Sequence, residues 1–406
     1  MDPEYKRKLA SLGLQFGIKS IDPNLKHKKT KKVEELEGIE GQNSLGNFFY
    51  KEQDFKNSYV HGAIDFTDYN QQLSIITDQG NLLKINIEEC FFLDTETTGL
   101  SVSGGTFAFM IGIGYFRQGI FYLRQYFLKE TTQEDAMLLD LLNLSSLFTT
   151  VVTYNGISFD LPIIKSRLRY HRIPHKLQEI NHIDLLKYAR MFFRFQFNNR
   201  SLKNIESKVL YFERAEEEIP GYLAPVIYQE YLVNKEINDI EGVFYHNAMD
   251  IVSLAALLVV INQISTQNEE LLKKYETLNF SLAKQFERNK IFEKALETYL
   301  TSAKQSNLPE SIRLKCLLAI AQIYKKQNQI ELAVQYWEKA SQHQNYEAYI
   351  ELSKIYEHKL KNYSLAIEYC EKALLILESD IDSISNRVMI EACNHRLRRI
   401  ISKAKK

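Results

Sequence analysis

The chain is poor in residues that staple or interrupt structure. Its 406 residues include only 4 cysteines, 7 prolines, 16 glycines and 1 tryptophan. Cys90, Cys316, Cys370 and Cys393 are scattered without C-x-x-C spacing, which argues against a zinc site and against a disulfide-dense scaffold. A reducing cytoplasm is the expected location. An excess of one charge is also missing, because 51 Lys and Arg stand against 51 Asp and Glu. Any affinity for nucleic acid then has to come from local patches and bound cations, not from a global field. The N-terminus lacks the apolar core of a signal peptide, and no window is expected to reach the ~20 apolar residues of a membrane helix. Length and a 45% hydrophobic content allow two cores, so a two-domain chain is expected.

What is present is a set of carboxylates at informative places. Asp94 and Glu96 close the apolar run Cys90-Phe91-Phe92-Leu93, and a turn through Thr97, Thr98 and Gly99 follows. A strand alternates its side chains, so residues i and i+2 share a face and both carboxylates point the same way. An oxygen-only pocket suits Mg²⁺ or Mn²⁺, and two such ions roughly 4 Å apart can clamp both the attacking and leaving oxygens of a phosphodiester. Residues 151–160 read as a β-branched strand, an Asn155-Gly156 turn and then Asp160 at the mouth of a helix, where it would also serve as a cap. In Tyr245-His246-Asn247-Ala248-Met249-Asp250, the i to i+4 spacing places His246 and Asp250 on one helix face if the helix begins before His246. Otherwise Asp250 simply complements the macrodipole of a helix start.

Three blocks carry a resemblance. Leu93-Asp94-Thr95-Glu96-Thr97-Thr98-Gly99-Leu100, Thr153-Tyr154-Asn155-Gly156 through Phe159-Asp160-Leu161-Pro162, and His246-Asn247 through Asp250-Ile251 with Ser253-Leu254 resemble the DEDD superfamily of 3′ to 5′ exonucleases, and within it the bacterial YprB-like branch. The likeness covers about residues 90–265. It implies an α/β ribonuclease-H-like mixed sheet flanked by helices, with Asp94, Glu96, Asp160 and Asp250 as ligands of two Mg²⁺ or Mn²⁺ ions. It also implies hydrolysis of DNA or RNA from a 3′ end, and single-stranded ends are expected because a deep carboxylate pocket admits an unpaired terminal nucleotide more readily than a stacked duplex end. The residue that helps the attacking water is crossed relative to the family, where it is a Tyr four residues before the last Asp or a His five before. Here His246 stands four before and Tyr245 five before. His246 is the preferred candidate because an imidazole is the better proton acceptor near neutral pH. The rival to an active nuclease is a nucleic-acid or protein scaffold that keeps the fold and hydrolyses nothing.

Further residues complete the candidate nucleic-acid-binding set. Gly105 and Thr106 either edge a substrate groove or turn the chain into the next strand. Thr97 and Asn155 lie in the turns of the first two blocks. Arg200 and Lys203, by a helix start at Ser201, either contact phosphates or form a solvated face. Asp184 ends a strand-like run and is an accessory candidate, and Phe107, Phe109 and Phe159 either stack a base or fill the core.

The expected organisation has four parts. Residues 1–40 form a basic arm, 41–89 a small β-rich lead-in with runs at Gln72 to Thr77 and Leu82 to Ile87, and 90–268 the exonuclease domain. Strand-like runs at 90–95, 106–116 and 120–128 open that domain, with Arg117-Gln118-Gly119 as a hairpin turn. Residues 275–406 read as an all-α tetratricopeptide-like superhelix that offers a surface to a protein or peptide partner. Tyr324, Ala333 and Ala340 recur as Tyr356, Ala366 and Ala373, near the roughly 34-residue period of such modules. Trp337 is off the signature position, and Arg396-Leu397-Arg398-Arg399 marks a final capping helix.

Overall fold

The computed structural model describes residues 36–56, 59–66, 71–99, 105–215, 219–235, 237, 239–379 and 384–405. Most of the basic arm, residues 1–35, falls outside them. Seven strands form one mixed sheet in the order β1 (Ile39–Asn43), β2 (Gly46–Phe55), β9 (Ile120–Phe127), β8 (Ala108–Arg117), β7 (Cys90–Thr97), β10 (Thr150–Thr153) and β11 (Asn181–Asp184). β7, β10 and β11 run parallel, and the other neighbours pair antiparallel. Separate hairpins join β3 (Val60–His61) to β4 (Ile64–Asp65) and β5 (Gln72–Ile76) to β6 (Leu82–Asn86). The lead-in expectation is therefore corrected in part. β1 and β2 extend the main sheet through pairing of β2 with β9, a partner some 70 residues away in sequence that no local pattern announces.

β7 lies between a parallel and an antiparallel neighbour, which explains its near-continuous apolar run. Phe91, Leu93 and Val151 face one layer, built with α1 (Glu134–Ser145), α2 (Asp160–Tyr170) and α5 (Ala224–Asn234). Cys90, Phe92 and Val152 face the other, built with α3 (Leu185–Phe193), the π-type turn after α4 (Leu202–Ile205), and most of α6 (Ile240–Ser265). At the β8–β9 turn Gln118 and Gly119 both take positive φ, 51° and 81°, as a two-residue hairpin requires. α6 is long and apolar enough to cross a membrane by length and composition, contrary to the expectation that no window would be. Of its most apolar stretch, 83% is buried inside the fold, so burial in a core accounts for its apolar character.

The helical part begins with α7 (Glu269–Lys274) and continues as α8 (Leu278–Arg288), α9 (Phe292–Lys304), α10 (Glu310–Lys326), α11 (Ile330–Ser341), α12 (Tyr346–His358), α13 (Tyr363–Glu378) and α14 (Ile384–Ala404). Successive helices pack as hairpins, whose short turns carry a left-handed residue at Lys290, Asn328 and Lys361. Ala295, Ala333, Ala340, Ala366 and Ala373 are fully buried where helices cross. The core does not stop at residue 268. One cluster runs from Phe92 and Leu257 through Leu278, Phe280 and Tyr299 to Ile320, so the first helices share a core with the sheet.

α14 is held by a single buried carboxylate. Glu357 accepts from Arg396, Arg399 and Lys403 at 2.7–3.0 Å. Burial acts to raise its pKa, but these cations outweigh it and bring the group down to about 2. A carboxyl depressed on folding adds stability above its unfolded pKa and loses it as the pH falls through the folded value. Glu357→Gln is accordingly expected to lower stability at pH 7 by about 1–2 kcal/mol, since the Arg399 and Lys403 heads are part-exposed. In urea melts the gap between the two proteins should close as pH falls from about 4.5 to about 2. A gap that persists at pH 2 would assign the effect to packing.

Candidate active site

Glycine sets the distance between α6 and the sheet. A Cβ on Gly112 would overlap the side chains of Ile251 and Asn247, and one on Gly114 would meet Ile251 at 2.5 Å. Without those carbons α6 settles onto β8 and β7. Asn247, fully buried, then donates to Asp94 Oδ2 at 2.9 Å and accepts from Gln125 at 2.9 Å. Asp94 and Glu96 lie on this face of β7, and the pairing with β8 shifts register between Glu96 and Thr97, a bulge of the kind that re-aims side chains beside functional sites.

Asp160 arrives from the other layer. It is the first residue of α2, is buried, and accepts from the Thr95 hydroxyl at 2.6 Å on the face of β7 opposite Asp94 and Glu96. The turn leading to it is organised by Asp184. That carboxylate accepts from the Asn155 and Ile157 amides at 2.9 and 3.3 Å while capping α3 through Leu186 N–H at 3.1 Å. Asn155, with φ of 68°, supplies the left-handed corner.

Asp250 lies ten residues into α6, beyond the first turn where a macrodipole role would hold. Because the helix starts at Ile240, His246 and Asp250 do share a face. His246 Nε2 stands 3.6 Å from Asp250 and 3.8 Å from Glu96. Tyr245 points elsewhere, with its hydroxyl accepting from the Ala215 amide at 3.3 Å.

Arg214, which sequence reasoning missed, sits among these acids. Its guanidinium donates to Asp250, to both oxygens of Glu206 at 2.6 and 2.8 Å, and to His246 Nδ1 at 3.1 Å. A donor on Nδ1 leaves the proton on Nε2, the nitrogen facing Glu96 and Asp250. Glu206 is raised by burial, offset in part by Arg214, and also accepts from Ser253 at 2.6 Å. Ser253 in turn accepts from His61 at 2.7 Å, and His61 accepts from Tyr59 at 3.2 Å. Burial and then the Arg214 charge push His61 down to about 3, so it is neutral. A chain of hydrogen bonds thus connects the β3–β4 hairpin to Arg214.

Electrostatics ties the four acids together. Burial and the charges of Asp250, Asp160 and Glu96 hold Asp94 well above the usual carboxylate range, with the Asn247 bond offsetting part. Glu96 is raised by burial, Asp250 and Asp160, with Arg214 opposing. Burial brings Asp160 to about 6 despite its bond from Thr95. Among the described residues no three His, Cys, Asp or Glu side chains stand at ligating distance of one point. The donor set nonetheless fits hard divalent cations, since Asp94 carries the repulsion of Glu96, Asp160 and Asp250 and all four offer only carboxylate oxygens.

The remaining sequence candidates separate. Thr97 donates to Gly99 O at 2.8 Å, Gly105 has φ of 136° with open space about it, and Thr106 packs near Gly99, so these three lie beside the end of β7. Arg200 donates to the carbonyls of Phe197 and Asn198 at 2.6 and 2.9 Å, which commits its guanidinium to its own loop. Lys203 is exposed on α4. Phe109 is buried and stacks on Tyr228 at 4.2 Å, a core role, while Phe107 and Phe159 are half-buried. Asn247, Thr95 and Arg214 are the residues the sequence did not assign. Only Asn247, a polar residue on an apolar helix beside His246, offered a signal.

A parallel β7–β10–β11 core with carboxylates at its strand and helix ends defines a ribonuclease-H-like domain, and residues 91–262 match the RNase_H superfamily. The superfamily points to a nuclease. Over 336 residues the chain is 32% identical to the Bacillus subtilis (strain 168) protein named "Uncharacterized protein YprB", an alignment covering 80% of this chain and 79% of that one. The chain belongs to the YprB family.

Proposed function

We propose that the protein is a metal-dependent 3′ to 5′ exonuclease acting on single-stranded ends of DNA or RNA. The observation that carries this reading is the electrostatic convergence of Asp94, Glu96, Asp160 and Asp250 from three segments of a ribonuclease-H-like fold. Asp94, Glu96, Asp160 and Asp250 would hold two Mg²⁺ or Mn²⁺ ions. When bound, the ions supply Lewis-acid stabilisation of the phosphodiester and lower the pKa of the attacking water. The protein's own groups do the rest. Asn247 fixes Asp94, Thr95 fixes Asp160, and Arg214 sets the His246 tautomer and occupies Asp250 until a cation displaces it. For His246 to take a proton from water at Nε2, its own proton has to move to Nδ1, which requires Arg214 to withdraw. Four free, buried cysteines agree with a reducing cytoplasm, and the C-terminal hairpins, read as tetratricopeptide-like, are proposed to carry a protein or peptide partner.

Arg214 in contact with Asp250 also favours a second reading, a silent scaffold whose arginine stands where a cation would. The test is a time course on 5′-labelled single-stranded DNA and RNA in Mn²⁺ and in chelator, with His246→Ala alongside. Products shortening stepwise from the 3′ end in Mn²⁺ alone, slowed by about 10² or more in His246→Ala, are expected. Intact strands throughout would select the scaffold, and an unchanged His246→Ala rate would remove the imidazole from proton transfer.

A further inference from the structure

A groove of about 880 Å³ opens between α3 and α8, bordered by Asp78 after β5 and Lys326 at the end of α10. Lys187, Arg190 and Arg194 line one wall at i, i+3 and i+7, the spacing of a single helix face. Lys284 and Arg288, at i and i+4, line the other, and Lys290 and Lys326 close one end. All seven side chains are exposed. Asp78 and Glu287 are the acidic lining residues, so the groove carries a local excess of five positive charges in a chain whose net charge is zero. Phe195 and Phe292 sit beneath them, with Arg194 over the first ring at 4.9 Å and Lys326 over the second at 4.9 Å.

A solvated surface does not explain this arrangement. Like charges at i, i+3 and i+4 destabilise the helices that carry them. Several cations elsewhere on the fold stand opposite carboxylates, as Arg124 does with Glu52 and Asp140, Arg167 with Glu134, and Lys325 with Glu351. Among the described residues none of the seven in the groove makes an ion pair. Two basic helix faces, ordinary when taken singly, meet across a concave floor with aromatic rings, which is the composition that tracks a phosphate backbone and stacks bases.

We propose that this groove is a second nucleic-acid-binding site, which holds a single strand by its phosphates at a distance from the end being processed. α3 connects the two places. Its N-terminal cap is Asp184, which shapes the turn leading to Asp160, and its nine residues extend about 14 Å from there to Arg194. A strand seated in the groove is therefore registered by one rigid element against the acid cluster. That identity of the ligand rests on the nuclease reading, whereas the anion-binding chemistry of the groove does not.

The experiment compares the full-length protein with the triple variant Arg190→Ala/Lys284→Ala/Arg288→Ala. Anisotropy in chelator follows a labelled single strand of about 16 nucleotides over a salt series, and cleavage in Mn²⁺ follows one of about four nucleotides. The variant is expected to bind the longer strand at least tenfold more weakly. Its log K against log salt slope should be shallower by about 2, because each phosphate that a cation no longer neutralises removes about 0.7 from the slope. Cleavage of the short strand should be unchanged, and Arg190→Lys/Arg288→Lys should retain the steep slope. Equal affinity and slope in the triple variant would overturn the proposal. So would inorganic phosphate displacing the long strand as well as an unlabelled strand does at equal phosphate concentration, because the groove would then be a small-anion site. Groove-dependent binding without any cleavage would support the site while defeating the exonuclease reading.

Discussion

Asp94→Asn is expected to abolish cleavage while making the chelated protein more stable. Lewis-acid stabilisation of the transition state is worth several kcal/mol, and each 1.36 kcal/mol is tenfold in rate, so a lost ligand should cost about 10³ or more. The stability effect has the opposite sign. Burial, and then the charges of Asp250, Asp160 and Glu96, penalise the ionised form of Asp94. An amide of the same shape removes that penalised charge with its repulsion from Asp250, Asp160 and Glu96, and still offers an oxygen to Asn247 Nδ2. A gain of order 1–2 kcal/mol in chelator is the scale of a relieved functional site. Mn²⁺ should raise the melting temperature of the parent protein and leave the variant nearly unmoved. Calorimetry of both proteins, with and without Mn²⁺, separates the outcomes. A variant less stable than the parent in chelator would mean that Asn247 needs the carboxylate for packing, and equal Mn²⁺ shifts would remove Asp94 from the ligand set.

The parts of this site that were legible in the sequence are those fixed by local periodicity. β7 announced itself because a strand covered on both faces must be apolar throughout, which makes Asp94 and Glu96 conspicuous and assigns them one face. Asp160 was legible because a β-branched strand, an Asn-Gly corner and a helix start follow one another within ten residues. The start of α6 was harder to place. Its apolar run begins at Ile251, yet the helix begins at Ile240 because Ile240, Val243 and Phe244 pack on the opposite layer, a tertiary arrangement without a signature in the run itself. β2 was separated from the sheet for the same reason, its partner β9 being distant in sequence. The basic groove was invisible because its walls are almost a hundred residues apart and each reads as an ordinary exposed helix face.

Arg214 is the extreme case. It lies just past a π-type turn that ends with Tyr211 in the left-handed conformation, in a stretch with no periodicity, and its partners Glu206 and Asp250 are 8 and 36 residues away. Yet its side chain is 4% exposed, Glu206 is 1% exposed, and together they form a buried charge pair in contact with Asp250. Removing one member of such a pair leaves the other uncompensated, at a penalty of about 3–5 kcal/mol. Arg214→Met, which keeps the length of the side chain, should therefore lower the melting temperature of the chelated protein by on the order of 10 °C. The metal response should move the other way. A divalent cation approaching Asp250 in the parent protein has to displace a guanidinium, and in Arg214→Met it meets a more negative cluster with no competitor. Titration calorimetry is expected to report Mn²⁺ binding at least tenfold tighter in the variant, with Mn²⁺ recovering most of the missing stability. Weaker Mn²⁺ binding would show that the guanidinium orients Asp250 for the cation instead of competing with it, and Arg214→Lys, which keeps the charge and loses the fork, would then fall between the two.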